Sequence, residues 1–353
     1  MSNMDQQSGQ SLIEPDLLKS ASETARSVVA ELDAMLLGRH ELHEMVLVGI
    51  LARGHILLEG LPGGGKTIMI NALGKLLGME FRRVQFTPDL MPGDILGAHI
   101  LQEQDGGERQ MRFVPGPVFT NILLADEINR ASPKTQSALL EAMQEGCVTL
   151  LGVTRELPRP FFVLASQNPI ELEGTYPLPE AQVDRFLMKL SVAAADVKTM
   201  EEIITTRRHG TPPEPTTTFS REKLDELFNA VDAIYLPRAV ARYAARLVAA
   251  THPDSPEAPA NVKNYVTYGA SPRAAIALAE AARALAMMRG QETVGFDVIG
   301  EVALAVLNHR ILLNYKARFD GVSGSTIVDD LLRELDPVGM RLPTDVSVDV
   351  QDA

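Results

Sequence analysis

Short apolar runs set the architecture of this chain. Within His55-Ile56-Leu57-Leu58-Glu59 the three middle residues are apolar, and Ile122-Leu123-Leu124-Ala125 and Phe161-Phe162-Val163-Leu164-Ala165 are continuously apolar; none alternates, and each runs straight into polar residues. That is the pattern of parallel strands covered on both faces. Phe81–Phe86 and Leu187–Val192 read as further strands. Helical periodicity separates them. Ile68, Leu73, Leu76 and Leu77 share one face of a helix that Gly78 stops, and Leu139, Leu140 and Met143 share one face of a helix over Lys134–Glu145 that Gly146 stops. Shorter helices are predicted over Ala181–Phe186, which carries Arg185, and over Val197–His209. Ahead of the first strand a helix is expected from after Pro15 to Leu37, broken at Leu37-Gly38-Arg39 and resumed over His40–Ala52. Strand and helix alternate, which predicts an α/β core around a parallel sheet with helices on both sides.

Two stretches interrupt the alternation. Between 94 and 112 an apolar run, Ile95–Ile100, is followed by polar residues around Asp105-Gly106-Gly107, a hairpin turn signal. The prolines of Phe113-Val114-Pro115-Gly116-Pro117-Val118 imply a fixed, exposed loop there. A second hairpin is expected over 147–156. The core is thus placed at 21–210, after a polar arm at 1–20. Gly210-Thr211-Pro212-Pro213-Glu214-Pro215-Thr216 reads as a linker, placed at 211–216. Beyond it alanine rises and strand-like runs largely vanish. Helices over about Arg221–Ile234, Arg238–Thr251, Pro272–Arg289, Phe296–Asn308 and after Ser325 predict a helical domain at 217–335, with His252–Pro259 as a loop. Residues 336–353 carry scattered apolar positions and read as a tail.

Composition narrows the function. The 353 residues are 45% apolar, with a net charge of −13. An acidic chain disfavours nucleic acid as a partner, because neutralising phosphates takes a basic surface. Trp is absent and aromatic residues are 5% of the chain, which disfavours stacking platforms for single strands. The lone cysteine, Cys147, excludes an intrachain disulfide and a cysteine metal cluster. No signal peptide is legible and no apolar run approaches the ~18 residues needed to span a bilayer, so the expected location is cytoplasmic.

The chemistry begins at Gly60-Leu61-Pro62-Gly63-Gly64-Gly65-Lys66-Thr67, a full match to the phosphate-binding loop Gly-x-x-x-x-Gly-Lys-Ser/Thr, with a strand before it and a helix after it. Glycines let consecutive N–H groups curl inward around phosphate oxygens, and the helix N-terminus adds its positive dipole. Gly60, Pro62, Gly63, Gly64, Gly65, Lys66, Thr67 and Ile68 are therefore the expected nucleotide contacts. Lys66 should reach the β- and γ-phosphates, and Thr67 should offer its hydroxyl to Mg²⁺. About sixty residues on, a buried strand ends in Asp126-Glu127. Ligands of open α/β sheets sit at the C-terminal strand ends, so Asp126 suits the Mg²⁺ shell and Glu127 the activation of water. The alternative is that Asp126 caps the helix beginning near Ser132-Pro133 and Glu127 is merely solvated. Asn168 closes the neighbouring strand and is either a γ-phosphate sensor or simple Asn-Pro turn chemistry. Arg185 by itself reads as a salt-bridged surface residue. Arg273 stands at a helix start, where a cation opposes the dipole.

Taken together these stretches resemble the AAA+ ATPases, and within them the MoxR family. The strings that carry the resemblance are Glu59-Gly60-Leu61-Pro62, Gln85-Phe86-Thr87-Pro88-Asp89-Leu90, Gly116-Pro117-Val118-Phe119, Asp126-Glu127-Ile128-Asn129-Arg130-Ala131, Gln167-Asn168-Pro169, Glu173-Gly174-Thr175-Tyr176-Pro177-Leu178-Pro179-Glu180-Ala181-Gln182 and Gly269-Ala270-Ser271-Pro272-Arg273-Ala274. The resemblance implies an AAA+ core with a C-terminal helical lid, and an ATPase that uses ATP and Mg²⁺. It implies Lys66 and Thr67 as Walker A residues, Asp126 and Glu127 as the Walker B pair, Asn168 as sensor 1, Arg185 as an arginine finger acting on a neighbouring subunit, and Arg273 as sensor 2. It further implies a homo-oligomeric, hexameric ring acting as a chaperone-like maturation factor for client proteins or metalloenzymes, with a von Willebrand factor A domain protein as partner. A magnesium chelatase-like or nucleic-acid-associated motor is the alternative. Ser166 and Arg159 depart from the usual pattern without touching the expected chemistry. Gly38-Arg39 replaces a commoner Gly-Gln beside the expected adenine pocket.

Overall fold

The computed structural model describes residues 12–60, 64–103, 109–168, 174–206 and 213–337. The chain divides into two compact units, Met1–Tyr235 with Glu280–Thr293, and Leu236–Ala279 with Val294–Ala353.

The first unit runs α1 (Pro15–Met35), α2 (His40–Leu51), β1 (Ile56–Glu59), α3 (Lys66–Leu76), β2 (Phe81–Gln85), α4 (Pro92–Leu96), β3 (Gly97–Glu103), β4 (Arg109–Pro115), β5 (Ile122–Asp126), a single 3-10 turn (Ile128–Arg130), α5 (Pro133–Glu145), β6 (Cys147–Leu150), β7 (Val153–Glu156), β8 (Phe162–Gln167), α6 (Glu180–Val183), β9 (Met188–Ser191), α7 (Val197–Thr206) and α8 (Arg221–Ala233). Five strands form one parallel sheet in the order β2-β5-β8-β1-β9. The central strands β1, β5 and β8 are buried along most of their length and turn polar only at their ends: at Glu59, at Asp126, and at Ser166 and Gln167. In these three strands apolar side chains thus fill both faces, and polarity is confined to the carboxyl end. Leu57, Leu123, Ala125, Val163, Phe86 and Phe186 pack there with Leu139 and Leu140 of α5.

β3 pairs antiparallel with β4, and β6 with β7, as two hairpins outside the main sheet. The Asp105-Gly106-Gly107 turn lies outside the described residues. Arg155 of β7 sits over the Phe113 ring, 4.0 Å from its centroid, so the two hairpins touch. The stretch expected as an exposed loop over 113–118 is not all loop or all exposed: Phe113–Pro115 end β4. Val118 is fully buried in the core, its amide bonded to the Ile95 carbonyl. Prolines at 115 and 117 fix the backbone, and that rigidity anchors an apolar side chain.

Pro15–Ser20, part of the stretch read as an arm, are the first turns of α1, with Pro15 at the helix start and Leu18 buried. The helix expected over Ala181–Phe186 ends at Val183. Arg185 N–H bonds Gln182 O and Phe186 N–H bonds Val183 O, a tighter turn that drops Phe186 into the core. The tail from residue 338, the end of the helix expected to run to His209, and linker residues 211 and 212 lie outside the described residues.

The second unit contains α9 (Arg238–Ala250), α10 (Ala260–Tyr265), β10 (Val266–Tyr268), the start of α11 (Pro272–Met288), α12 (Phe296–Leu307), β11 (Leu312–Leu313), α13 (Tyr315–Phe319) and α14 (Gly324–Glu334). α12 packs against α9 and α14. The small antiparallel pair β10–β11 and the short helices α10 and α13 are too brief to show a period in the sequence.

Candidate functional site

The carboxyl edge of the sheet opens into a cleft of about 310 Å³. Gly60, Gly64, Gly65, Lys66, Thr67 and Ile68 line it on one side, and Asp126, Glu127, Asn168, Arg83 and Gln85 on the other. Pro62 and Gly63, expected here as well, lie outside the described residues. Two glycines are needed as glycine. A Cβ on Gly60 would lie 2.5 Å from the Val192 carbonyl oxygen. Gly65 has φ +76°, and a Cβ there would meet Leu36 Cδ2 at 2.6 Å. α3 begins at Lys66, so the unpaired N–H groups and positive dipole end of its first turn fall at the cleft.

Lys66 is buried and donates from Nζ to Gly60 O at 2.7 Å. Burial holds its ammonium pKa below the usual lysine value, and the nearby Arg39 guanidinium pushes the same way, while Asp126 and Glu127 oppose the shift.

The two carboxylates have different partners. Asp126 Oδ1 accepts from Ser166 Oγ at 2.5 Å, and Oδ2 accepts from Arg83 Nη2 at 2.6 Å and Nε at 3.2 Å. Glu127 Oε2 accepts from Gln85 Nε2 at 2.7 Å and from Arg130 Nη1 at 3.0 Å. Its backbone is in the left-handed region at φ +56°, uncommon for a side-chain-bearing residue and held here by the Glu127 N–H bond to Ser166 Oγ at 2.9 Å. The capping alternative for Asp126 falls, because Ser132 caps α5 and accepts from Thr135 N.

Ser166 therefore contacts both acids, which the sequence reading did not expect of it. The register explains it. Ala125 pairs with Ala165, so the next residues along, Asp126 and Ser166, are neighbours. Aligning the ends of the two apolar runs would have placed them together. Gln85 pairs with Asp126 across β2 and β5, and Arg83, two residues earlier, shares its face. These residues look like ordinary strand polarity in the sequence, and only strand order brings them to the site.

Asn168 is buried, just past β8. Arg185 is half-buried, does not line the cleft, and donates from Nη1 to Leu140 O at 2.9 Å. Arg273 lies exposed in the first turn of α11, in the second unit. Gly38 and the adjoining Arg39 end the break between α1 and α2, with Gly38 at φ +71° against Thr199 of α7. The Arg39 guanidinium is partly desolvated, which lowers its pKa.

The donors fit magnesium. Thr67 and Asp126 offer a hydroxyl and a carboxylate to the same cleft. Among the described residues no cluster of three or more His, Cys, Asp or Glu could cage a metal alone. A sparse, hard-oxygen set suits an ion that keeps waters and shares phosphate oxygens. No described helix is long and apolar enough to cross a membrane.

The family described as ATPase family associated with various cellular activities (AAA) matches residues 55–188, and the AAA lid domain matches residues 258–331. Chaperone MoxR1 of Mycobacterium tuberculosis is 42% identical over 316 residues, covering 90% of this chain and 83% of its own. Protein MoxR of Methylorubrum extorquens is 30% identical over 339 residues, covering 90% and 95%. A crystal structure of a candidate ATPase from Cytophaga hutchinsonii superimposes with a TM-score of 0.81 at 38% identity, covering 91% of this chain and 97% of that one.

Proposed function

The chain belongs to the MoxR family of AAA+ ATPases, and on that premise we propose that it hydrolyses Mg²⁺·ATP in the cleft at the carboxyl edge of its sheet and uses the cycle to remodel partner proteins. The observation that carries this reading is the meeting, in one cleft, of a phosphate loop with Lys66 and a strand-end pair, Asp126 and Glu127. Each was separately expected to serve a triphosphate.

Hydrolysis asks the protein mainly for position and charge. Loop N–H groups and the α3 N-terminus hold the phosphates. Lys66 trades the Gly60 carbonyl for the β- and γ-phosphate oxygens. Thr67 and Asp126 would hold magnesium, which supplies neutralisation of phosphate charge. Glu127 has Oε2 fixed by Gln85 and Arg130, leaving Oε1 to accept from the attacking water. The water oxygen bonds to the γ-phosphorus as the bond to the β,γ-bridging oxygen breaks, giving ADP and phosphate. Asn168 orients that water or reads the γ-phosphate. Arg273 serves as the lid's sensor.

Arg185 acts on a neighbour's γ-phosphate. Its anchorage on α5, away from the cleft of its own chain, supports a role in trans, and hence a ring, hexameric by family likeness. A chaperone-like role follows from the name of the Mycobacterium relative. A von Willebrand factor A domain partner follows from the family resemblance.

The test is capture from the native cytosol with the Glu127→Gln protein, which should hold ATP unhydrolysed, against Lys66→Ala, which should not bind it. Retention of a von Willebrand-type protein or a metalloenzyme by the first alone is the expected result. Retention of nucleic acid or a chelatase assembly instead overturns the chaperone role.

A further inference from the structure

Arg83 is the cation that sits on Asp126. Its Nη2 and Nε both donate to Oδ2, at 2.6 and 3.2 Å. Two N–H groups use the acceptor capacity of that oxygen, and Oδ1 is engaged by Ser166. Lys66, the other cation of the cleft, is turned to the Gly60 carbonyl. Arg83 is also steered. Its Nη2 donates to Gln85 Oε1 at 2.8 Å, and the two residues lie on one face of β2 by their spacing of two. The Asp126 side chain is 14% exposed while that of Arg83 is 46% exposed. The acid is thus largely covered and beside a second acid, whereas nearly half of the Arg83 side chain is open to solvent.

This arrangement puts a permanent positive charge where a hydrated divalent cation must approach. Resting on the nucleotide-site reading above, we propose that Arg83 is the built-in counter-cation of Asp126 and sets how strongly nucleotide binding depends on a divalent metal. With Arg83 in place, the cleft holds a metal-free polyphosphate against Asp126 at small repulsive cost, and magnesium has to displace a guanidinium to reach Oδ2. Without it, Asp126 repels a metal-free polyphosphate and is open to a metal that accompanies one. Arg83 is a positioning residue, since it acts through Asp126.

The test uses the full chain and a ribose-labelled, non-hydrolysable ATP analogue, with binding followed by fluorescence in EDTA and across a magnesium titration. Wild type, Arg83→Gln and Arg83→Lys are compared, and thermal unfolding confirms that each is folded. In Arg83→Gln the ratio of Kd in EDTA to Kd in magnesium should rise about tenfold, chiefly by loss of binding in EDTA. The magnesium concentration for half-maximal binding should fall severalfold. Arg83→Lys keeps the charge and should hold EDTA binding near wild type, so it tests the proposal even where Arg83→Gln does not fold. Equal ratios in the folded proteins overturn the role of Arg83 and leave the nucleotide site standing. Failure of wild type to bind the analogue with or without magnesium overturns the nucleotide-site reading, and this inference with it.

Discussion

Gln85 donates its side-chain amide to Glu127 Oε2 at 2.7 Å, across a register that sets Gln85 directly opposite Asp126. The edge strand therefore helps to orient the Glu127 carboxylate. Removing the amide leaves Arg130 alone to orient Glu127, from a side chain that is 43% exposed. Gln85→Ala should lower kcat by roughly ten- to a hundredfold, the cost of a misplaced reacting group, while the Kd for ATP stays near wild type. Steady-state turnover alongside equilibrium nucleotide binding checks this. A kcat equal to wild type would show that Arg130 suffices.

Ser166 ties both acids together, donating to Asp126 Oδ1 and accepting from Glu127 N–H. Ser166→Ala removes both bonds at a fully buried position. The expected loss is about 1–3 kcal/mol of stability, read as a denaturant midpoint, together with a fall in kcat. Ser166→Thr keeps the hydroxyl and should retain most activity. Threonine behaving like alanine would mean that side-chain volume, not the hydroxyl, governs the site.

Arg185→Ala should reduce turnover by about a thousandfold or more, the scale of an arginine finger, with ATP affinity preserved. Mixing it with inactive Glu127→Gln subunits should restore part of the activity, because each supplies what the other lacks. Normal hydrolysis by Arg185→Ala, or no recovery on mixing, would remove the residue from the neighbour's site.

His55 gives a pH signature remote from catalysis. Its Nδ1 accepts from Val163 N–H at 3.0 Å and its Nε2 donates to Met143 O at 3.0 Å, so the folded ring is neutral. Desolvation pushes its pKa down to about 4 from an ordinary 6.5. The unfolded chain then binds more protons between those values, and stability falls as pH drops from about 6.5 toward 4, by up to about 3 kcal/mol. Denaturant midpoints measured between pH 5 and 7 should show the decline in wild type and a flatter profile in His55→Asn. Parallel profiles would assign the decline to other groups.

Much of the core was legible because its signals are local. The runs at 56–58, 122–125 and 162–165 are apolar because both faces of those strands are covered, and the strand–glycine–helix order at 56–76 has one well-known use. What stayed hidden depends on which strands are neighbours. Arg83 and Gln85 reach the cleft only because β2 lies beside β5, an order that a list of strands does not contain, whereas Ser166 needed the register of β5 on β8. Val118 was misjudged for a related reason. Proline signals a fixed backbone, not an exposed one.

The most direct measurement is steady-state phosphate release from ATP by wild type and Glu127→Gln, with ATP binding determined on the same preparations. The expected result is magnesium-dependent hydrolysis by wild type, loss of at least about a hundredfold in Glu127→Gln, and ATP affinity kept in both. Equal hydrolysis by the two proteins would contradict the role of Glu127 and the mechanism built around it. Absence of ATP binding by wild type would contradict the cleft as a nucleotide site.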